Sequence, residues 1–150
     1  MAQTFTNLLT HVIFSTKGRV RSIQPQWKPR LLAYMGGIIR ELDGKAVAID
    51  GTGDHVHMLL WMPPTRSISE TLRVLKTNSS RWVNRERGMR RDFTWQAGYG
   101  AFSVSHSNAP AVVRYIRGQE KHHRRVSFQE EFVKLLQKNN IEYDERYIWE

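Results

Sequence analysis

The sequence predicts an α+β fold in which helices pack on a single antiparallel sheet. Three observations support this prediction. Short apolar runs typical of strands alternate with two longer segments of helical periodicity. The predicted order of elements is β-α-β-β-α-β-α, followed by a C-terminal helix and tail. The length of 150 residues is that of one domain. The ferredoxin-like arrangement fits this order best.

The first half of the chain contains three predicted strands and one helix. The first strand covers residues 6–14, and a basic turn follows it at residues 17–19. The first helix begins after Pro25 or Pro29, because apolar residues recur every three or four positions from Leu31 to Leu42. Short strands are predicted over residues 46–50 and 55–62, and two prolines end the latter.

The second half contains three predicted helices and one strand. Ser67 and Glu70 form a capping box that begins the second helix, and Gly88 is expected to end it. A fourth strand covers residues 102–105. The third helix has Pro110 in its first turn. A second capping box begins at Ser127 and starts a short helix before the tail.

The charge of the chain is strongly positive and is arranged in blocks. The formal net charge is +9 and the pI is near 10.3. Residues 1–30 carry five basic side chains and no acidic one, whereas residues 128–150 carry three basic and six acidic ones. A basic protein kept soluble by its charge is one interpretation. The block arrangement favours the other interpretation, a polyanionic partner such as nucleic acid.

Several functional classes are excluded or disfavoured by composition. The chain has no cysteine, which excludes a disulfide scaffold, a thiolate nucleophile and a cysteine zinc site. No apolar run approaches the length of a membrane span, so no membrane association is expected. The first residues lack a basic segment followed by an apolar one, so the expected location is cytoplasmic.

The most informative motif is a histidine pair in the third predicted strand. Alternate side chains of a strand share a face, so His55 and His57 point the same way with Cα atoms about 6.6 Å apart. Two imidazoles at this spacing can converge on one divalent cation, although a third ligand must come from elsewhere. The alternative is a pair of histidines on a solvated face. Val56, Met58 and Leu60 are expected to face the core.

A second motif lies on the third predicted helix. Tyr115 and Gln119 are four residues apart and share a face, so a phenol and a carboxamide could reach one point. A phenol is a possible nucleophile toward phosphorus, but its pKa of about 10 requires assistance at neutral pH. An ordinary core or surface tyrosine is the alternative. Gly118 is unusual in a helix interior.

Five segments in a fixed order give the chain a family resemblance. They are residues 11–17, 53–57, 75–81, 99–105 and 115–119, and their sequences are HVIFSTK, GDHVH, LKTNSSR, YGAFSVS and YIRGQ. With these segments the chain resembles the single-tyrosine transposases of the HUH nuclease superfamily. These are insertion-sequence transposases that act on single-stranded DNA, and relatives associated with repetitive extragenic palindromes (REP). The residues after Gln119 resemble the REP-associated branch more closely.

The resemblance implies a role for each motif. His55, His57 and Gln119 would bind a divalent metal, Mg²⁺ or Mn²⁺, and Tyr115 would be the catalytic nucleophile. The substrate would be single-stranded DNA near a hairpin, and the product a 5′-phosphotyrosine with a free 3′-hydroxyl. A homodimer is implied, in which Tyr115 serves its own or the partner's histidine pair. Residues 1–150 would form one transposase domain, with a catalytic core over 1–126 and a C-terminal helix and tail over 127–150.

The DNA-binding residues are expected in two basic segments, where they would contact phosphates. They are Lys17, Arg19, Arg21, Arg73, Lys76, Arg81 and Arg87. Two alternatives stay open. One is a ferredoxin-like module that binds single-stranded nucleic acid without cutting it. The other is a metal-dependent hydrolase in which water replaces Tyr115, so that Tyr115→Phe would keep turnover.

Overall fold

A four-stranded sheet forms the centre of the molecule in the computed structural model, which describes residues 2–87 and 92–150. Its strands are β1 (Leu9–Ser15), β2 (Lys45–Gly51), β3 (His55–Trp61) and β4 (Gly100–Val104). The spatial order is β2-β3-β1-β4, and every neighbouring pair is antiparallel. This architecture confirms the predicted α+β class and its single antiparallel sheet in ferredoxin-like order.

Within the described residues, five α-helices connect and cover the strands. They are α1 (Lys28–Glu41), α2 (Ile68–Arg87), α3 (Ala109–Arg117), α4 (Gln119–His122) and α5 (Phe128–Lys138). The Ser127 hydroxyl accepts a hydrogen bond from the Glu130 N–H, as the second capping box predicts. Ser67 likewise accepts from the Glu70 N–H. The predicted stop at Gly88 lies outside the described residues.

The element boundaries differ from the predicted ones where a pairing partner ends or begins. The first strand begins at Leu9 rather than at residue 6, because Leu9 pairs with the last residues of both neighbouring strands, Trp61 and Val104. The fourth strand begins at Gly100 because β1 still offers Ile13 as a partner there. The third helix ends at Arg117, and Gly118 separates it from the short helix α4.

One face of the sheet packs against α1 and α2 and forms the larger core. Val56, Met58 and Leu60 of β3 are buried there, as the alternation of the strand predicts. The Asn84 side chain of α2 ties this layer to the following segment. It donates to the Phe93 carbonyl at 3.0 Å and accepts from the Phe93 N–H at 3.0 Å.

The opposite face of the sheet carries α3 and α5. Leu9 and Leu59 pack with Ile116 of α3 in one apolar cluster. A second cluster joins Ile13 of β1 and Phe132 of α5, and its other buried members are Phe102, Phe128 and Leu136. Buried polar side chains lie on the same face, including His11, His55 and His57. The fold therefore places the histidines beneath two helices.

Candidate functional site

The two histidines of β3 are fully buried and are oriented by their neighbours. His55 Nδ1 lies 2.7 Å from Asp54 Oδ1 and 3.0 Å from Thr52 Oγ1. A carboxylate at Nδ1 holds the proton there and leaves Nε2 free to bind a metal. Burial opposes ionisation of Asp54, but its bond to His55 keeps the pKa of the carboxyl below the usual value.

His57 receives the same support from another imidazole. Its Nδ1 lies 2.8 Å from His11 Nε2. Burial lowers the pKa of His57 to about 4 and that of His11 to about 3, so both rings are neutral near pH 7. His11 Nε2 can accept the Nδ1 proton of His57 when a metal occupies His57 Nε2, whereas in the other tautomer His57 Nε2 donates to Glu131. Both β3 histidines thus present Nε2 as the candidate ligand atom.

The predicted tyrosine and glutamine lie beside this pair in the same chain. Gln119 Oε1 is 3.3 Å from His55 Nε2, and Gln119 Nε2 donates to the Tyr115 carbonyl at 3.2 Å. The Tyr115 ring centroid is 5.6 Å from that of His57. The structure therefore brings together all four residues that the two motifs singled out, although Gly118 interrupts the helix between Tyr115 and Gln119.

A buried carboxylate from α5 lies at the centre of the site. Glu131 is only 2% exposed. Its Oε1 is 2.8 Å from His57 Nε2 and 2.9 Å from His123 Nε2, and its Oε2 accepts a hydrogen bond from the Tyr115 hydroxyl. Burial raises the pKa of the Tyr115 phenol above its ordinary value, and this bond to Glu131 raises it further.

The protonation state of Glu131 follows from these contacts. Burial by itself would raise the pKa of the carboxyl, but hydrogen bonds from His123 and His57 hold it well below the usual value. A fourth imidazole also approaches, since His122 Nε2 lies 3.1 Å from Oε2. The His122 nitrogen is buried and has no hydrogen-bond partner within the described chain. The site thus holds an ionised carboxylate among imidazoles.

The donor set fits a divalent cation. His55, His57, His123 and Glu131 each offer one ligand atom, and these atoms lie within 4.8 Å of one another. Ligands about 2.0–2.3 Å from a shared ion are separated by distances of this size. His122 Nε2 lies 3.1 Å from the other carboxylate oxygen of Glu131, beside this set. These residues could therefore hold a metal ion.

Glu131 and His123 are the residues that the sequence motifs did not identify as site residues. The basic sequence around His122 and His123 favours a solvated helix end, with assistance to the metal or a phosphate as the alternative, but the His123 side chain is only 8% exposed. Glu131 lies 74 positions after His57, so no local spacing connects them. One signal was present: Glu131 is three residues after Phe128 and four before Leu135, on the apolar face of its helix.

Comparisons with known proteins bear on the identity of the chain. The family described as "Transposase IS200 like" matches residues 4–119. The transposases for insertion sequence element IS200 from Salmonella typhimurium and Salmonella typhi are each 32% identical over 129 residues, which cover 79% of this chain and 81% of theirs.

The chain belongs to the IS200-like transposase family. The resemblance to single-tyrosine transposases of the HUH superfamily is thereby confirmed.

Solved structures show the same fold as this transposase. A provisionally assigned transposase from Deinococcus radiodurans R1 aligns with a TM-score of 0.65 at 22% identity, covering 79% of this chain and 95% of that one. A REP-associated tyrosine transposase bound to a REP hairpin aligns with a TM-score of 0.62 at 14% identity, covering 84% of this chain and 74% of that one.

The predicted DNA-binding residues of the transposase lie in different surroundings. Lys17, Arg21 and Arg81 are exposed. Arg19 lies over the Trp149 ring, Arg87 lies over the Trp27 ring, and Arg73 pairs with Glu70. Lys76 donates to the carbonyls of Gln96, Ala97 and Gly98, so in this conformation it holds the loop before β4. Burial lowers its pKa to about 8.

A basic cleft of about 400 Å³ opens next to the histidine cluster of the transposase. Arg21 and Arg124 line it, together with His123 of the cluster itself. Arg124 was not among the predicted DNA-binding residues, because it lies in a segment that the strand and helix motifs did not cover.

Over residues 2–87 and 92–150, no helix is both long and apolar enough to cross a bilayer.

Proposed function

We propose that this transposase is a metal-dependent enzyme that cleaves and rejoins single-stranded DNA near hairpins through Tyr115. The observation that carries the proposal is the position of Tyr115, whose ring lies beside His57 while its hydroxyl shares the Glu131 carboxylate with the histidine cluster. A tyrosine needs such a neighbourhood to act on phosphorus, because a phenol with an ordinary or raised pKa is a weak nucleophile.

His55, His57 and Gln119 are the proposed ligands of Mg²⁺ or Mn²⁺. Their donor atoms converge, since Gln119 Oε1 is 3.3 Å from His55 Nε2 and both β3 histidines present Nε2. When bound, such an ion polarises a phosphate oxygen and stabilises the negative charge that develops there. Asp54 and His11 keep the two imidazoles in the tautomer that this role requires.

The proposed chemistry is a transesterification at one phosphodiester. The Tyr115 phenol loses its proton and its oxygen forms a bond to phosphorus. The bond from phosphorus to the 3′ oxygen breaks, and that oxygen takes up a proton to leave a free 3′-hydroxyl. The remaining strand is attached to Tyr115 as a 5′-phosphotyrosine. A second 3′-hydroxyl can reverse the step and join a different strand without a further energy source.

The proposed substrate follows from charge and from one relative. The chain carries a net charge of +9, and a basic cleft adjoins the histidine cluster. The REP-associated transposase of similar fold was solved with a REP hairpin, which supports a hairpin-forming DNA as partner. A homodimer is proposed as well, because the joining of two DNA ends requires two cleavage events.

A covalent adduct assay tests the role of Tyr115. The protein is mixed with labelled single-stranded DNA from the flanks of its own gene, in Mg²⁺ or Mn²⁺, and analysed on a denaturing gel. We expect an adduct with the wild type and none with Tyr115→Phe, which lacks the nucleophilic oxygen. Tyr147→Phe is the matched control, because Tyr147 is 60% exposed and lies in the tail.

Two outcomes would contradict the proposal. Cleavage without an adduct that persists in Tyr115→Phe would indicate a hydrolase in which water is the nucleophile. Tight binding without cleavage of either this DNA or a palindrome-derived oligonucleotide would favour a module that only binds single strands.

A further inference from the structure

The carboxylate of Glu131 occupies the position of a metal ligand rather than that of an ordinary core residue. One oxygen lies 2.8 Å from His57 Nε2, 2.9 Å from His123 Nε2 and 3.5 Å from His55 Nε2. Asp54 and His11 contact the opposite nitrogens of the two β3 rings, so His55 and His57 can present Nε2 to a metal. Three imidazole nitrogens therefore converge on one carboxylate oxygen.

The charged groups around Glu131 are compatible with a bound cation. The carboxylate is 2% exposed, and a buried anion requires a compensating charge. In the described part of the chain, each residue that forms an ion pair with Glu131 is a histidine. A divalent ion placed between the carboxylate and these imidazole nitrogens would supply that charge.

The chemistry of the donors also favours a carboxylate in the ligand shell. Mg²⁺ and Mn²⁺ prefer oxygen ligands, especially carboxylates. The set of His55, His57 and Gln119 offers only one neutral oxygen. Glu131 would add a charged oxygen, and the nearest ligand atoms of His55, His57, His123 and Glu131 already lie within 4.8 Å of one another.

We infer that Glu131 of α5 is a ligand of the cation held by His55 and His57, and that its other oxygen positions the Tyr115 hydroxyl. This inference rests on the proposed function, because it concerns the same metal site. It assigns α5 to the catalytic centre, although the helix lies beyond the core predicted over residues 1–126. Glu131 thereby connects the nucleophile to the metal through one side chain.

Metal binding without DNA tests this inference directly. Mn²⁺ is titrated into the full-length protein, and the free ion is followed by its electron paramagnetic resonance signal. We expect Glu131→Gln to weaken Mn²⁺ binding by more than about tenfold, since even partners outside the ligand shell contribute about 10–100-fold. Glu130→Gln is the matched control, because it removes the same charge from the exposed neighbour on α5.

Two further variants keep the result interpretable. Glu131→Asp retains the carboxylate and should bind Mn²⁺ more tightly than Glu131→Gln. His57→Ala should abolish binding if the proposed metal site is correct. Unchanged affinity in Glu131→Gln with loss in His57→Ala would overturn the role of Glu131 alone. Unchanged affinity in His57→Ala would overturn the metal site of the proposed function.

The same variants separate ligation from occlusion of the site. A Glu131→Gln protein that binds Mn²⁺ as tightly as the wild type and forms the DNA adduct faster would also overturn the inference. In that case the carboxylate would occupy the place of the scissile phosphate. Far-ultraviolet circular dichroism confirms that each variant is folded, and a Mn²⁺-dependent rise in Tm gives a second measure of binding.

Discussion

At the scale of single residues, His11 acts on the site through His57. Its Nε2 lies 2.8 Å from His57 Nδ1 in a buried pair and would accept the Nδ1 proton when His57 Nε2 binds a metal. Without an acceptor, the His57 ring could rotate or exchange its tautomer, and Nε2 would no longer be held toward the cluster. His11 is therefore a positioning residue on β1, a strand that supplies none of the proposed ligands.

Replacement of His11 tests this positioning role. His11→Phe keeps a planar aromatic ring but cannot accept a proton, so the buried His57 Nδ1–H would lose its partner. We expect the free energy of unfolding to fall by about 1–3 kcal/mol and Mn²⁺ affinity to fall by about 10–100-fold. His11→Gln restores an acceptor oxygen and should recover most of the affinity. His106→Phe, at an exposed position, is the control.

The contrast between Tyr115 and Glu131 explains which site residues the sequence could predict. The pairs His55–His57 and Tyr115–Gln119 can be recognised in the sequence. Side chains two residues apart on a strand, or four apart on a helix, share a face. Glu131 and His123 reach the same point only through the packing of α5 and the turn before it onto the sheet. No short spacing encodes that contact, so Glu131 escaped prediction and a role for His123 at the metal was only the less favoured alternative.

At the scale of elements, the docking of α5 depends on one glycine of β4. A Cβ on Gly100 would lie 2.9 Å from Phe132 Cε2 and 3.0 Å from Ile13 Cγ2. Phe132 follows Glu131 in α5, so the close approach that Gly100 permits also sets the depth at which Glu131 enters the site. The sheet and α5 therefore pack closely at Gly100.

Two Gly→Ala variants should have opposite effects on stability. Gly100→Ala overpacks the contact and should lower the free energy of unfolding by about 1–3 kcal/mol. Gly37→Ala lies in α1, where nothing is within 4 Å of the new Cβ, and should raise it by about 0.5–1 kcal/mol through helix propensity. Urea denaturation measures both. Equal changes in the free energy of unfolding would show that a Cβ at Gly100 does not overpack the contact with α5.

The strands and helices were predictable in kind and order, but their ends were not. Hydrophobic periodicity identified β3 and α1, and the serines at 67 and 127 marked helix starts correctly. Instead, β1 begins at Leu9 because its two neighbouring strands end at Trp61 and Val104. That information belongs to the assembled sheet rather than to the residues 6–8.

At the scale of the whole molecule, charge blocks in the sequence become a surface beside the site. Arg21 follows β1 and Arg124 follows α4, yet both line the cleft that contains His123. The acidic C-terminal segment packs on the body through apolar and aromatic contacts, since Trp149 lies near Phe132 and beneath Arg19. The block pattern was predictable, but the meeting of Arg21 and Arg124 required the fold.

The salt dependence of DNA binding tests this surface. Each phosphate contact to single-stranded DNA contributes about 0.7 to the slope of log affinity against log salt concentration. We expect a steep slope for the wild type and one smaller by about 0.7 for Arg21→Gln, measured by fluorescence anisotropy. Arg146→Gln is the control, because Arg146 pairs with Asp144 in the tail. A flat slope in the wild type would contradict the phosphate contacts.

The position of Tyr115 beside His57 of the same chain has a kinetic consequence. With the nucleophile and the histidines in one polypeptide, the proposed cut at a single DNA end is first order in protein and insensitive to dilution. Only the exchange of two ends then requires two molecules to meet. We therefore expect a mixture of His57→Ala and Tyr115→Phe proteins to gain no cutting ability, and restored cutting would show that Tyr115 serves the histidines of a partner subunit.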